Sequence, residues 1–425
     1  MRNKILTFSH ETFASLGVRN YRLYFIGQGI SVTGSWMQSV AQSWLVLQLT
    51  HSGTALGVAA ALQCLPTLAL GPYAGVLAER VPKRRLLLVT QAIEGLLALA
   101  LGVLVATDSV QLPMVYVLAA ALGIVTAIDY PTRQSFMHDL VGPRVVGNAV
   151  SLNATLVNIG RVAGPALAAA LIAAAGLAVC FLANAVSFAV VLVCLVLMRE
   201  SELHVTRRGA ESLPRLAEGL AYVRRTPLVL TALVMMAVIG ALTYEFSVTL
   251  PLLAKFEFGG EAQSLGSLMA GMGLGAALGG IVNARQKAQG MGQLSVAALG
   301  FGLSAALVGF APNLTVAVPI MFVVGVFSVW FTATCNTILQ VNSAPRMRTQ
   351  VMALWSVAFV GSSFLGGPLV GWVGEQYGPP WALAVAAIGG LLAAGLGLLQ
   401  HRRGRVADAR AEILAPEARQ AEAAA

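Results

Sequence analysis

Three carboxylates stand inside long apolar runs of this chain: Glu94, Asp129 and Glu245. Glu245 lies near the middle of its run, where burial balances the carboxylic acid against its anion, the property that proton coupling needs. The same position also suits a fixed charge for a cationic ligand, or a plain hydrogen bond to a neighbour. Glu94 and Asp129 are the other proton-coupling candidates. Asp129 and Arg133 are spaced i, i+4, which puts them on one face of a helix. Arg161 is also embedded in an apolar run. A membrane-embedded arginine costs at least ~2.5 kcal/mol unless paired or hydrated, so it is expected to face a cavity or a carboxylate.

A second group is strongly basic. Gly75-Val76-Leu77-Ala78-Glu79-Arg80-Val81-Pro82-Lys83-Arg84-Arg85 ties one apolar run to the next. Such a tie crosses hydrocarbon only at high cost and marks a tight turn on the cytoplasmic side of a membrane. Polar and aromatic side chains punctuate other runs: Gln28, Ser31, Gln38, Gln63, Asn153, Asn158, Tyr244, Trp330, Asn336 and Trp355. Amides beside aromatic surface suit a bulky amphipathic ligand, with helix packing as the competing role for each.

Other chemistries are poorly supported. His10, His51, His138, His204 and His401 fall in loops, tails or run ends, away from any nucleophile or base. Cys64, Cys180, Cys194 and Cys335 lie in apolar runs at no metal-like spacing and read as small packing residues, so no metal site and no cofactor is expected. Met269-Ala270-Gly271-Met272-Gly273-Leu274-Gly275 follows no strand and lacks the Lys-Ser/Thr of a phosphate loop, which argues against a nucleotide. Gly271, Gly275 and Gly279 at i, i+4, i+8 form a packing or sliding face instead.

The elements that must position these groups follow from composition. The chain is 57% hydrophobic and 11% charged, with a mean hydropathy of +0.78, against about 25% charged residues in soluble domains. Apolar runs of membrane-spanning length recur throughout. Twelve spans are expected, at about 21–48, 54–78, 86–106, 112–137, 146–174, 177–198, 228–254, 263–284, 293–311, 315–338, 350–373 and 380–400. Of 27 Lys and Arg, all but Lys255 and Arg161 fall in the termini, in alternate loops, or at span ends beside them. That alternation places both termini in the cytoplasm. It also disperses the net charge of +9 along one membrane face, so nucleic acid is not an expected partner. The first apolar run is too long for a signal peptide, and none is expected.

The organisation is a cytoplasmic N-terminus (1–20), a six-helix bundle (21–198), a cytoplasmic linker (199–227), a second six-helix bundle (228–400) and a cytoplasmic tail (401–425), the last charged, Ala-rich and expected to be partly disordered. Leu213, Leu216, Leu220 and Val223 at helical spacing, with Pro214 in the first turn and Arg215, Glu218, Arg224 and Arg225 on the polar side, predict a short amphipathic helix on the inner leaflet, or else a solvated linker. The halves echo each other. Pro143-Arg144 leading to Gly164-Pro165 recurs as Pro345-Arg346 leading to Gly367-Pro368, and Gly75…Glu79-Arg80 recurs weakly as Gly279…Asn283-Ala284-Arg285.

The loop signature resembles the loop between spans 2 and 3 of the major facilitator superfamily. Gly75, Leu77, Arg80, Lys83 and Arg84 match it, while Glu79 replaces the usual Asp and Pro82 the usual Gly. Asn20-Tyr21-Arg22-Leu23, Gly34-Ser35-Trp36-Met37-Gln38, Asp129-Tyr130-Pro131-Thr132-Arg133-Gln134 and Tyr244-Glu245-Phe246 to Leu250-Pro251-Leu252-Leu253 are similar to its enterobactin-exporter-like, drug:proton antiporter branch. Gly160-Arg161 to Gly164-Pro165 resembles the branch's antiporter motif in part, with Ala168 and Ala169 at its last two positions.

The resemblance implies an all-α integral membrane fold of two pseudo-symmetric six-helix bundles around a substrate cavity. It implies a hinge at Gly160, Arg161, Gly164, Pro165, Gly367 and Pro368, with close helix packing as the competing role. It also implies a cytoplasmic gate of Gly75, Glu79, Arg80, Arg84, Asp129 and Arg133, in which Asp129 could bind Arg80 or Arg84 when the inside closes. A static clamp is the competing role. The expected function is export of a siderophore, drug or metabolite from a bacterial cytoplasm across the inner membrane, driven by protons. A proton-coupled importer, a polytopic membrane enzyme and a non-transporting membrane sensor are the competing readings.

Overall fold

The computed structural model describes residues 14–142, 145–204, 216–260, 262–284, 290–344 and 347–424. Its regular elements among these residues are helices. The first half contains α1 (Arg19–Thr50), α2 (Gly53–Arg80), α3 (Lys83–Ala106), α4 (Leu112–Val141), α5 (Val146–Ala175) and α6 (Leu177–Val196). After the short α7 (Leu216–Arg225), the second half contains α8 (Pro227–Leu242), α9 (Phe246–Phe256), α10 (Ala262–Ala284), α11 (Met291–Gly309), α12 (Leu314–Asn342), α13 (Arg348–Val360), α14 (Ser363–Tyr377) and α15 (Pro379–Ala424). The expected twelve spans are present. Two of them are broken, the seventh into α8 and α9 and the eleventh into α13 and α14.

Eleven spans among the described residues are long and apolar enough to cross a membrane. The twelfth, α1, has 32 residues and about 48 Å of length at 1.5 Å per residue, but is more polar. Its Gln28, Ser31, Ser35, Gln38, Ser39 and Gln42 recur at i, i+3/4, i+7 and share one face. That face turns inward, which is why α1 can be polar and still span.

Local chemistry sets the helix ends. Ser52 caps α2 by accepting from the Ala55 amide at 3.1 Å, and Asn313 caps α12 by accepting from Val316 at 3.0 Å. Gly176 joins α5 to α6 at φ +84°, and Gly378 joins α14 to α15 at φ +96°. Both conformations are open to glycine and strained for other residues. These two turns occupy equivalent places in the two halves and extend the internal repeat seen in the sequence. The repeat's Pro143-Arg144, Pro345-Arg346 and Arg285 lie outside the described residues.

The amphipathic linker helix forms as α7, yet it is docked on the second half rather than lying free. Val223 is buried, Gly219 meets the Gln350 side chain, and the Tyr222 hydroxyl accepts from the Ala344 amide at 3.0 Å. Leu220 remains exposed. Leu213, Pro214, Arg215 and the Leu216 side chain lie outside the described residues. The tail differs from expectation, because α15 continues as helix to Ala424. Alanine, glutamate and arginine dominate it, and they are strong helix formers.

The glycine stripe of α10 packs inside its own half. A Cβ on Gly275 would fall 1.8 Å from the Phe322 carbonyl oxygen, and one on Gly271 2.9 Å from that of Val318, so α10 and α12 touch backbone to backbone. This contact lies within one bundle and not between the halves.

Candidate functional site

A cavity of about 580 Å³ opens among the helices of the first half. The polar face of α1 supplies Gln28, Ser35, Trp36, Gln38, Ser39 and Gln42; α2 supplies Gln63 and Cys64; α3 supplies Glu94. From α4 come Thr126, Tyr130, Arg133 and Gln134, from α5 Asn153, from α6 Asn184, and from α9 Ser247. Of the expected ligand-facing residues, Gln28, Gln38, Gln63 and Asn153 line it. Ser31 is buried elsewhere, and Asn158 is exposed. Tyr244, Trp330, Asn336 and Trp355 belong to the second half. There Tyr244 packs edge-on to Phe301 at 5.5 Å and Phe359 at 5.0 Å, Trp330 stacks on Phe327, Trp355 stacks on Phe359, and Asn336 accepts from Gln340. The cavity thus combines amides and hydroxyls with the rings of Tyr24, Trp36 and Tyr130, whereas these second-half aromatics pack on one another. Trp36, Gln42, Tyr130 and Gln134 were missed from sequence, although the i, i+3/4, i+7 stripe on α1 points to Gln42.

At one wall of the cavity two carboxylates share one guanidinium. Asp129, fully buried, accepts from Thr90 Oγ1 at 2.6 Å, from Gln91 Nε2 at 2.9 Å and from Arg133 Nε. Arg133 also donates to Gln28 Oε1 at 2.7 Å and lies 3.7 Å from Glu94. Glu94 further accepts from Gln91 at 2.9 Å. The expected i, i+4 pair is present, and its neighbours saturate it.

The basic loop is occupied differently. Arg84 pairs with Glu200 and donates to the Leu195 and Val196 carbonyls at 2.8 and 2.9 Å, Lys83 pairs with Asp139 at 2.9 Å, and Arg80 is exposed. In this conformation Asp129 does not meet Arg80 or Arg84. The surroundings of Gly75 and the side chain of Glu79 lie outside the described residues.

Glu245 sits in the unwound junction between α8 and α9 and is 2% exposed. Its carbonyl starts α9 by accepting from Val248 and Thr249, while the Tyr244 amide reaches back to Ile239 and Thr243 Oγ1 holds Ala386. The carboxyl stands beside Ser363 and Gly367 of α14, and its Oε1 has no hydrogen-bond partner. Glu245 thus lies where the broken spans 7 and 11 meet the other half.

Residues 10–422 match the family described as transmembrane secretion effector. The chain belongs to this family of the major facilitator superfamily. Among curated proteins it is 26% identical over 343 residues to the Staphyloferrin A transporter of Staphylococcus aureus (strain NCTC 8325 / PS 47), covering 78% of this chain and 84% of the relative. It is 25% identical over 359 residues to the multidrug efflux pump Tap of Mycolicibacterium fortuitum, covering 79% and 85%. It is 26% identical over 386 residues to the enterobactin exporter EntS of Shigella flexneri, covering 89% and 90%. Its fold is that of a bacterial homolog of the human lysosomal transporter Spinster, solved inward-facing and unoccupied, with a TM-score of 0.71, 14% identity and coverage of 90% and 97%. The nucleoside transporter NupG gives a TM-score of 0.69 at 13% identity, with coverage of 90% and 98%.

In this major facilitator transporter the halves meet at glycines. A Cβ on Gly57 of α2 would stand 2.2 Å from the Gly367 carbonyl oxygen of α14, and one on Gly53 2.4 Å from that of Gly371. The equivalent pair joins α5 to α10, where a Cβ on Gly266 would be 2.5 Å from Ala169 Cβ and 3.1 Å from the Pro165 oxygen. Gly160 and Gly164 instead fit α1 at Val32 and Trp36. Of the expected hinge residues, Gly160 and Gly164 therefore pack within a half, while Pro165, Gly367 and Pro368 lie between halves.

Two charges of the second half also grip the turn between α1 and α2. Lys255 Nζ donates to the Leu47 carbonyl at 2.6 Å, in the last turn of α1. Glu375 accepts from Ser52 Oγ at 2.6 Å and from the Thr54 amide at 3.0 Å, in the first turn of α2. Each sign complements the helix end it caps. Exposed helix-end charges are worth ~0.3–1 kcal/mol each. Lys255→Met with Glu375→Gln is therefore expected to raise the population open at this end about three- to thirtyfold. Spin-label distances between His51 and Gln376 would read the change, and an unaltered distribution would remove the latch role.

Proposed function

We propose that this transporter exports a small amphipathic molecule (a siderophore, drug or metabolite) from the bacterial cytoplasm across the inner membrane, by proton antiport and alternating access. Both termini and the basic loops lie in the cytoplasm in this reading, as the positive-inside rule requires. The conformation is then inward-open: hydrogen bonds between the halves sit at the opposite end, and Lys83 and Arg84 of the basic loop pair within their own half. Two of the relatives carry efflux or export in their names, which favours the outward direction.

One observation carries the coupling. Glu245 is buried in a break of span 7, with an unpartnered carboxyl oxygen, against the glycine contact that joins the halves. A proton gained or lost there is felt where the halves rock, as in transporters whose broken helices place ion sites near the midplane. Glu94 and Asp129 line or back the cavity but already share Arg133, which leaves Glu245 the freer proton carrier. In this reading the gate residues Glu79, Arg80, Arg84, Asp129 and Arg133 come together when the inside closes.

The test is flux in inverted vesicles, across a panel of siderophores and amphipathic drugs, with the proton gradient imposed and then collapsed. Gradient-driven uptake by the native protein and its loss in Glu245→Gln are expected. Uptake that survives Glu245→Gln would move the proton site to Asp129 or Glu94. Gradient-independent flux would end the antiport reading, and accumulation in the reverse direction would make the protein an importer.

A further inference from the structure

Several charges of this membrane domain are matched within the chain, and among the buried polar atoms left without a partner one points to a ligand. Asp129 and Glu94 share Arg133; Asp139 holds Lys83; Glu200 holds Arg84; Leu47 O holds Lys255. Arg161 differs. Among the described residues its one partner is the face of Trp36, with Cζ 5.2 Å from the ring centroid, and its Nε is buried with no acceptor. Embedding an arginine costs ~2.5–3.5 kcal/mol or more. A cation–π contact returns ~0.5–2 kcal/mol. The remainder calls for water or an anion.

Helix geometry says where that anion would lie. Gly160 and Gly164 face α1, whereas Val162 and Pro165 face α10 of the other half. At 100° per residue Arg161 projects between these two faces, towards the space between the halves. The side chain is only partly buried and borders the cavity through Trp36, without itself being one of the lining residues. Val157, one turn earlier on α5, and Trp36 itself both line the cavity. Flat aromatic surface is close at hand, because Tyr24 and Tyr130 also line it.

We infer that Arg161, seated on Trp36, is the anion subsite of the cavity, and that the ligand is a small organic anion with a flat aromatic or conjugated part. The guanidinium donates paired hydrogen bonds to a carboxylate or comparable oxyanion, while the ring system lies against the aromatic wall. The inference rests on the transport reading of the cavity but needs no flux. It also opposes a cationic ligand drawn by Glu94 or Glu245.

Equilibrium binding to the purified full-length protein in detergent tests it, using three fluorescent probes that share one ring system: dansylglycine, an anion; dansylamide, neutral; and a trimethylammonium dansyl derivative, a cation. The expected order is dansylglycine tightest, by about tenfold over dansylamide. Arg161→Gln is expected to bring those two within about twofold, and Arg161→Lys to keep part of the preference. Unchanged dansylamide affinity in the variants shows that they remain folded. Should Arg161→Gln weaken all three probes alike, Trp36→Phe decides: retention of the anion preference there, with the arginine present, supports the subsite, and its loss overturns it. Equal binding of the three probes by the native protein, tighter binding of the cation, or binding of none also overturns it. Each of those outcomes leaves proton-driven export of other compounds standing, and absent flux with anion-selective binding would do the reverse.

Discussion

Arg133→Gln is expected to destabilise the first half by about 3–5 kcal/mol, because it strands two buried carboxylates that now share one guanidinium. Asp129 is 0% and Glu94 3% exposed, and no other cation among the described residues reaches them. Thermal unfolding in detergent should show a large fall in midpoint. The triple variant Arg133→Gln, Asp129→Asn, Glu94→Gln removes the charges together and should recover most of it, since a buried ion group is worth little against its neutral counterpart. A midpoint unchanged in Arg133→Gln would mean that Thr90, Gln91 and Thr126 suffice to hold the two acids. Transport separates this structural role from gating. Asp129→Asn with normal stability but altered rates and conformational populations would support the gate, and unaltered rates and populations would remove it.

The second large effect is steric. In Gly57→Val the new Cβ meets the Gly367 carbonyl oxygen at 2.2 Å, its carbon at 2.5 Å and Pro368 Cα at 2.7 Å. All three are backbone atoms and cannot swing away. Overpacking of this kind costs ~1–3 kcal/mol even where side chains can adjust. The strain is released when the halves separate at this end, so the conformational balance moves while each bundle stays folded. A bias of about 3 kcal/mol changes a two-state ratio roughly 150-fold. Spin labels at His51 and Gln376 should report a longer distance in Gly57→Val, and turnover should fall with it. A native distance distribution would show that α2 and α14 accommodate the side chain by sliding, and that the glycine contact does not set the balance.

Much of the architecture could be read before the structure. Span count and the division into halves follow from apolar length and alternating basic loops, because lipid leaves the chain few alternatives. The breaks in spans 7 and 11 were hidden, since hydropathy is blind to whether three residues at Thr243–Glu245 are wound. The lining of the cavity was half legible. Gln28, Gln38, Gln63 and Asn153 stood out as amides in apolar runs, whereas Tyr244, Trp330 and Trp355 proved to pack in the other half, because an aromatic side chain in a membrane helix fits a core as well as a cavity. The ionic pairings at the basic loop depend on which loop folds over which helix, as with Arg84 and Glu200. Spacing along one helix does not encode that.

The polarity of α1 bears on how the protein is made. Its Gln28 is held by Arg133, 105 residues later, and its Gln38 by Asn184, 146 residues later. At ~5–20 residues per second, the partner of Gln38 leaves the ribosome about 7–30 s after Gln38 does. Until then the first span to emerge is the one least suited to lipid by itself. It must be sheltered, at the insertion machinery or in the interfacial layer, while five more apolar helices arrive. The first helix in the chain is thereby among the last to settle, and α1 variants that weaken these bonds should lower the yield of inserted protein before they change anything measured on the protein that survives.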